Sequence, residues 1–311
     1  MHDIGGRAFC LFIIMKRLPL LLSLAAAAAC FAGAQLPLPV VPAMLTQPVD
    51  RVIYIIDHFW DGLDFADTTM SRDTRLIEQS FADYTSLFSV VADSTARLQS
   101  AVDRLVAASE ADSTAAAGLR EIAEIYLYDV VSPMHNDEYY RLYLSSFLKS
   151  ERLDEGARMR YEYQLEEINK NRVGETAADF GLVAKDGSET TLSREVVGAP
   201  LTVVMFYNPF CSECHDISAA MAADPAIAAA VASGRLKFVG VIADGAWSDF
   251  GTALPLDGPI KEFAAKDNCV EDEQIYSIRV IPTLYILDSE MKVVMRDVKP
   301  TRISALAAEG Q

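Results

Sequence analysis

From Val49 to about Lys170, apolar residues recur at three- and four-residue steps, the spacing that lines one face of an α-helix. Val49, Val52, Ile53, Ile56, Phe59 and Trp60 open the series. Further helices are predicted over 71–91, 94–109, 114–129, 137–150 and 157–171. Asp93 and Ser113 stand where a side-chain oxygen would cap a helix start, and Ser132-Pro133 supplies a break. Ahead of them, 36–48 carries Pro37, Pro39, Pro42 and Pro48 and reads as an extended lead-in. Strand-like alternation and fixed-period repeats are missing from this half, so an all-α domain is expected over 35–172.

Beyond Asn171-Arg172-Val173-Gly174 the pattern changes to short apolar runs split by turn residues. The stretch 180–184 is strand-like, and Asp186-Gly187 signals a hairpin before 190–192. Residues 201–207 form an unbroken apolar, β-prone run, as in a strand covered on both faces. Strands are also predicted at 236–242, 283–287 and 292–296, and helices at 212–222, 226–233 and 258–266. The order β–α–β–α–β–β–α implies a mixed sheet with helices on both faces. The chain therefore reads as α+β overall, an all-α domain followed by an α/β domain over 173–311 with a mixed central sheet.

The 311 residues suffice for two separate cores, and 51% hydrophobic with 23% charged residues is globular usage. Acidic residues outnumber basic ones 44 to 27, a formal charge of −17. That balance excludes nucleic acid as a partner bound through phosphates, and excludes attachment to anionic lipid by charge. The N-terminus changes the picture further. Met15-Lys16-Arg17, an apolar stretch to Ala29 and Ala32-Gly33-Ala34 read as a secretory signal over 1–34, with Met15 the more natural start. A membrane-anchoring helix is the competing reading, but Lys16-Arg17 splits the run and leaves less than the ~20 residues a span needs. Cys30, after Ala27-Ala28-Ala29, offers a lipoprotein anchor as the alternative to soluble export. In either case the rest of the chain is expected to work outside the cytoplasm.

Beyond residue 34 only Cys211, Cys214 and Cys269 remain of the five cysteines. The first two lie in Asn208-Pro209-Phe210-Cys211-Ser212-Glu213-Cys214-His215, after the buried strand and at the start of a helix. Cysteines three apart in a first helical turn bring their sulfurs within bonding reach. The first also sits over unpaired N–H groups and the positive end of the helix dipole, which favours thiolate. Cys211 is therefore expected to attack a substrate disulfide and Cys214 to resolve the mixed disulfide, with no cofactor. An inert disulfide is the plain alternative. A metal site is not expected, because the other candidate zinc ligands are Cys269 and two histidines, His58 and His135, in the helical half. Cys211, Cys214 and His215 also satisfy C-x-x-C-H, the c-type haem attachment pattern, although a preceding β-strand is the wrong setting for it. Downstream, Pro282 of Ile281-Pro282-Thr283 stands at the mouth of a buried strand, where proline cannot join the ladder. A cis Ile281–Pro282 bond there would offer the Ile281 backbone to an extended substrate, and an ordinary strand-edge proline is the alternative.

These motifs in this order resemble a thioredoxin-like domain of the exported, membrane-facing or periplasmic reductase type. The resemblance runs from about Gly174 to Gln311. It rests on Ala178-Asp179-Phe180, Asp186-Gly187, Leu192-Ser193, Val203-Val204-Met205-Phe206-Tyr207 ahead of the cysteines, and Ile281-Pro282-Thr283. It implies a central sheet, a cysteine pair at a helix N-terminus and a cis-proline loop opposite. The helical half, with Asp57-His58-Phe59-Trp60-Asp61 and Ser132-Pro133-Met134-His135-Asn136-Asp137, resembles an uncharacterised domain found ahead of such domains in Gram-negative envelope proteins. The implied protein is a periplasmic thiol–disulfide oxidoreductase. Its partners would be exported proteins bearing disulfides or thiols and an unidentified upstream electron donor; the second resemblance implies no activity, and a protein is the partner expected for the helical domain. A non-catalytic envelope binding or scaffold protein remains the alternative from another class.

The departures from the family pattern bear on mechanism. Phe210 stands where tryptophan is common, Met205 where cytoplasmic thioredoxins bury an acid, and Ile217 where some exported reductases place a glutamate. Deprotonation of Cys214 is thus left without an obvious base, and Glu213, His215 and Asp216 are the nearest substitutes. Glu213 puts negative charge between the sulfurs, which disfavours thiolate and tilts the pair toward a reductant. Elsewhere the expectations are plain. Cys269 is a small semi-buried residue and Trp60 a core anchor. His135 is a loop residue, and Asp57, Asp61, Asp64 and Asp67 form a solvated run lacking the glycine and terminal glutamate of a calcium loop.

Overall fold

Helical spacing in the first half builds helices Pro48–His58, Thr74–Ser86, Thr95–Ser109, Ser113–Ala123, Asp137–Phe147 and Glu155–Asn169. The computed structural model describes residues 35–92 and 94–309, so the expectations for the 1–34 leader, Met15, Cys30 and the Asp93 cap lie outside the described residues. The chain divides into two units after Glu162, within the last of these helices. Among the described residues no helix is long and apolar enough to cross a membrane.

Side-chain caps set the helix starts. Asp73 accepts from the Arg75 and Leu76 amides, Asp112 from Ala115 and Asn136 from Tyr139. The cap expected at Ser113 is therefore corrected to Asp112, whose carboxylate also pairs with Arg72 at 2.6 Å. A single helix over 71–91 is corrected too. Asp73 starts a new helix after the short turn Thr68–Ser71, and the final turn tightens to 3₁₀ over Leu87–Val91. Likewise 114–129 is not one α-helix, since Glu124–Tyr128 widens into a π-turn. Aromatics fill this core: Tyr84 meets Phe88 at 4.9 Å and Phe81 meets Tyr143 at 5.3 Å between ring centroids. Phe59 and Trp60 pack on Tyr84, so Trp60 anchors the core.

The second unit holds a seven-stranded sheet, in the order β2-β1-β5-β4-β3-β6-β7. Its strands are β1 Gly181–Ala184, β2 Glu189–Thr191, β3 Leu201–Tyr207, β4 Leu236–Ile242, β5 Ile260–Ala265, β6 Thr283–Asp288 and β7 Val293–Met295. β3 pairs parallel with β4 and β4 with β5, while the other pairings are antiparallel, which makes the sheet mixed. The β1–β2 turn needs Gly187 at φ +84°, and Asp186 Oδ1 locks it by accepting from the Ser188 amide and hydroxyl at 2.9 and 2.7 Å.

The unbroken apolar run of β3 is explained by cover on both faces. Val203, Met205 and Tyr207 enter a core with Ile227 of helix Pro225–Ala232 and Ile303 of helix Pro300–Glu309. Val204 and Phe206 enter the other, with Leu192, Val196 and Tyr276. Each such side chain contributes about 1.5–3 kcal/mol of burial.

One element is corrected outright: 258–266 is not a helix but contains β5. Lys261, Glu262, Ala264 and Ala265 favour helix by only a few tenths of a kcal/mol each (~0.7 at most per residue). Pairing with β4 on one side and β1 on the other, with burial of Phe263, outweighs that preference.

Candidate active site

The loop after β3 places the cysteines. Asn208 accepts from the Cys211 amide through its carbonyl and from the Phe210 amide through Oδ1, both at 2.9 Å. This tight turn leaves Cys211 extended (φ −79°, ψ 112°) as the N-cap of helix Ser212–Ala222. Its sulfur takes the cap role usually played by an oxygen, accepting from the Cys214 amide at 3.2 Å. Both thiols are free. Cys211 is half-buried, whereas Cys214 is fully buried in the core that contains Tyr207 and Met205. One sulfur thus faces outward at a helix N-terminus with a sealed one beneath it.

Burial pushes the Cys214 thiol up to about 12, aided by its hydrogen bond with Cys211 and by the charges of Cys211 and Glu213, against an opposing backbone hydrogen bond from Asn208. At neutral pH Cys214 therefore keeps its proton. Met205 is buried and Ile217 packs at the edge of the same core, so the two positions where relatives carry an acid hold none here.

The remaining sequence candidates fall around the pair. The Ile281–Pro282 peptide is cis. Ile281 packs against the core that holds Cys214, as Cys211 does. Thr283 opens β6 opposite Phe206 and donates its hydroxyl to the Val280 carbonyl at 2.5 Å. Phe210 is 61% exposed, with its ring 5.5 Å from Phe250 in the turn Trp247–Phe250. Glu213 and Asp216 are exposed, and neither has an ion pair among the described residues.

His215 is turned back toward the loop, its Nε2 lying 3.0 Å from the Pro209 carbonyl. A carbonyl only accepts, so Nε2 carries the proton. That bond and the sealed Cys214 do not fit c-type haem attachment, which needs both sulfurs and the ring turned toward a macrocycle. Cys269 packs against the opposite face of the sheet and does not join the pair, so it completes no zinc site with it.

One hydrogen-bonded pair next to the Cys214 core escaped the sequence. The Tyr207 hydroxyl donates to Glu262 Oε1 on β5 at 2.6 Å, crossing β4 to do so. The crossing depends on Gly240, where a Cβ would lie 3.3 Å from Tyr207 Cε1 and 3.1 Å from Ile260 Cγ2. Burial, the Glu262 hydrogen bond and nearby charge, including that of Cys214, hold the phenol far above its ordinary range. A mid-strand glycine was the one available signal, since it often marks a close approach.

A family model described as a domain of unknown function (DUF5106) matches residues 22–171. No curated protein matches the chain. The chain is similar to a thioredoxin-like protein from Bacteroides caccae, whose crystal structure aligns at a TM-score of 0.78 with 26% identity, covering 88% of this chain and 98% of that one. The second unit is thioredoxin-like. Two further structures match a smaller share of the chain. The C-terminal domain of an uncharacterized protein from Bacteroides fragilis is 25% identical over 45% of this chain and 99% of its own, with a TM-score of 0.41. The thioredoxin domain of a thiol-disulfide oxidoreductase from Bacteroides vulgatus is 17% identical over 44% and 96%, with a TM-score of 0.36. The expected thioredoxin-like fold with its mixed sheet is thereby borne out, and so is an uncharacterised domain ahead of it.

Proposed function

We propose that the protein is a thiol–disulfide oxidoreductase of the cell envelope, working as a reductant of disulfides in exported proteins. The observation that carries this reading is the outward Cys211 sulfur at a helix N-cap with Cys214 sealed directly beneath. The Cys211 thiolate attacks one sulfur of the partner's disulfide, whose S–S bond breaks and releases one partner thiolate, which takes up a proton. Cys214 then gives up its proton and attacks Cys211 Sγ. The Cys211–Cys214 disulfide forms and the second partner thiolate leaves, so two electrons pass from the pair to the partner. An upstream dithiol restores the pair, and no cofactor takes part.

Glu213 supports the reducing direction, because its charge acts against a thiolate in the pair. Ile281-Pro282-Thr283, beside the same core, serves as the edge on which an extended partner segment is positioned. The leader expected at 1–34 delivers the chain to the periplasm, and the helical half binds a protein partner. Cys211→Ser should abolish reduction of a model disulfide, and Cys214→Ser should accumulate mixed disulfides with partners. Wild-type turnover in both variants refutes the reading.

A further inference from the structure

Three segments frame Cys211, and their charge is one-sided. Residues 207–234 hold Glu213, Asp216 and Asp224 but no lysine or arginine. Residues 243–259 hold Asp244, Asp249 and Asp257, again with no lysine or arginine. Residues 276–283 add a single cation, Arg279, which is mostly buried and bonded to Asp297 at 2.9 Å. Of the cations bordering these segments, Arg235 and Lys237 lie where β4 begins, at the opposite end of the parallel strands from Tyr207 and Cys211. Lys261 is paired with Glu195 at 2.9 Å, and Lys185 lies over the Trp247 ring at 5.6 Å.

The same face is also apolar. Phe210 presents its ring beside the sulfur, braced on Phe250. The Phe250 turn is itself pinned, with Asp249 Oδ2 accepting from the Ala246 amide at 2.8 Å and Trp247 Nε1 donating to the Val183 carbonyl at 2.8 Å. Leu254, four residues on, is 76% exposed, and Val280 beside Ile281 is 41% exposed. An attacking sulfur flanked by exposed aromatic and aliphatic surface and by carboxylates that have no ion pair among the described residues selects its partner by complementary chemistry.

Resting on the proposed reductase reading, we propose that the disulfide attacked by Cys211 lies in a cationic segment of its partner. Lysine or arginine faces Glu213, Asp216 and Asp249, and an aromatic or aliphatic side chain beside the cystine covers Phe210. Like charge repels acidic segments from the same face, so the preference acts on the encounter as well as the complex.

The test uses the full-length reduced protein and three synthetic peptides of equal length, each closed by one disulfide and flanked by Lys-Phe, Ser-Ser or Glu-Ser. The second-order rate of reduction is followed by stopped flow at low and high salt, with neutral bis(2-hydroxyethyl) disulfide as a fourth substrate. We expect the Lys-Phe peptide to react about tenfold faster than the Glu-Ser peptide at low salt, with the ratio collapsing at ~1 M salt, where charges are screened within ~3 Å. Asp216→Asn with Asp249→Asn should remove most of the ratio, and Phe210→Ala should slow the Lys-Phe peptide alone. Equal rates for all three peptides, alongside reduction of the neutral disulfide, overturn this inference and leave the reductase reading standing. No reduction of any of the four disulfides overturns both.

Discussion

In the proposed cycle, the raised Cys214 thiol makes the resolving step the part most sensitive to pH. The perturbation is pH alone, applied to the protein carrying a chromogenic aryl thiol in mixed disulfide with Cys211. Cys269, which is half-buried as well, is replaced by serine. Of the pair only Cys211 is exposed enough to be loaded, and attack by Cys214 then releases the aryl thiol in a single turnover. In the reduced protein burial is the largest cause holding Cys214 near 12, with the Cys211 bond and charge adding to it. Those two contributions vanish once Cys211 is bonded to a partner, while burial remains. The release rate should therefore climb about tenfold per pH unit, about 100-fold from pH 7 to 9, without levelling at the ~8.5 of an ordinary cysteine. A plateau at or below pH 9 would refute the argument from burial.

The same group also bears on stability of the reduced form. The unfolded thiol ionises near ~8.5, whereas the folded one keeps its proton until about 12. The folded state then binds more protons, so its stability is intact below ~8.5 and falls as pH rises toward 12, by at most about 1.4 kcal/mol per unit. Cys214→Ser removes that slope.

Three further outcomes follow from the geometry. Tyr207→Phe removes the shorter of two donors to Glu262 Oε1, leaving the Leu256 amide at 3.3 Å, and should lower stability by about 1 kcal/mol in denaturant unfolding, while Glu262→Gln, which can still accept, should cost less. Gly240→Ala forces a Cβ against Ile260 and Tyr207 and should cost about 1–3 kcal/mol, read in the same assay. The Cys211–Cys214 couple should equilibrate with glutathione or dithiothreitol buffers at a potential between about −270 and −120 mV. A value below about −300 mV would mark an inert brace and favour a scaffold over a reductant.

Some elements were legible residue by residue, and the reasons are specific. β3 and helix Ser212–Ala222 match the sequence reading at both ends. A strand covered on both faces is apolar or β-branched throughout, Thr202 being the one polar residue of β3, and the cysteine motif fixes where the next helix starts. β5 was misread because its identity is imposed by β4 and β1, which are remote in sequence, while Lys261 and Glu262 locally favour helix. The Tyr207–Glu262 bond joins residues 55 apart and depends on β5, so losing the strand lost the pair as well. Asp112 and Ser113 are both good caps, and only the chain's path, with Arg72 drawn to the carboxylate, selects the former.

The fully enclosed position of Cys214 also governs how the protein fares under oxidative attack. Of the two thiols of the pair, peroxide in the surroundings meets Cys211 and converts it to a sulfenic acid. The thiol stored underneath condenses with that sulfenic acid, expelling water and closing a disulfide before a second oxygen can add. In the proposed cycle, the shelter that slows resolution near neutrality would thus keep a spare reducing equivalent out of harm's way, and damage that would otherwise be permanent would become one more state for an upstream dithiol to reset.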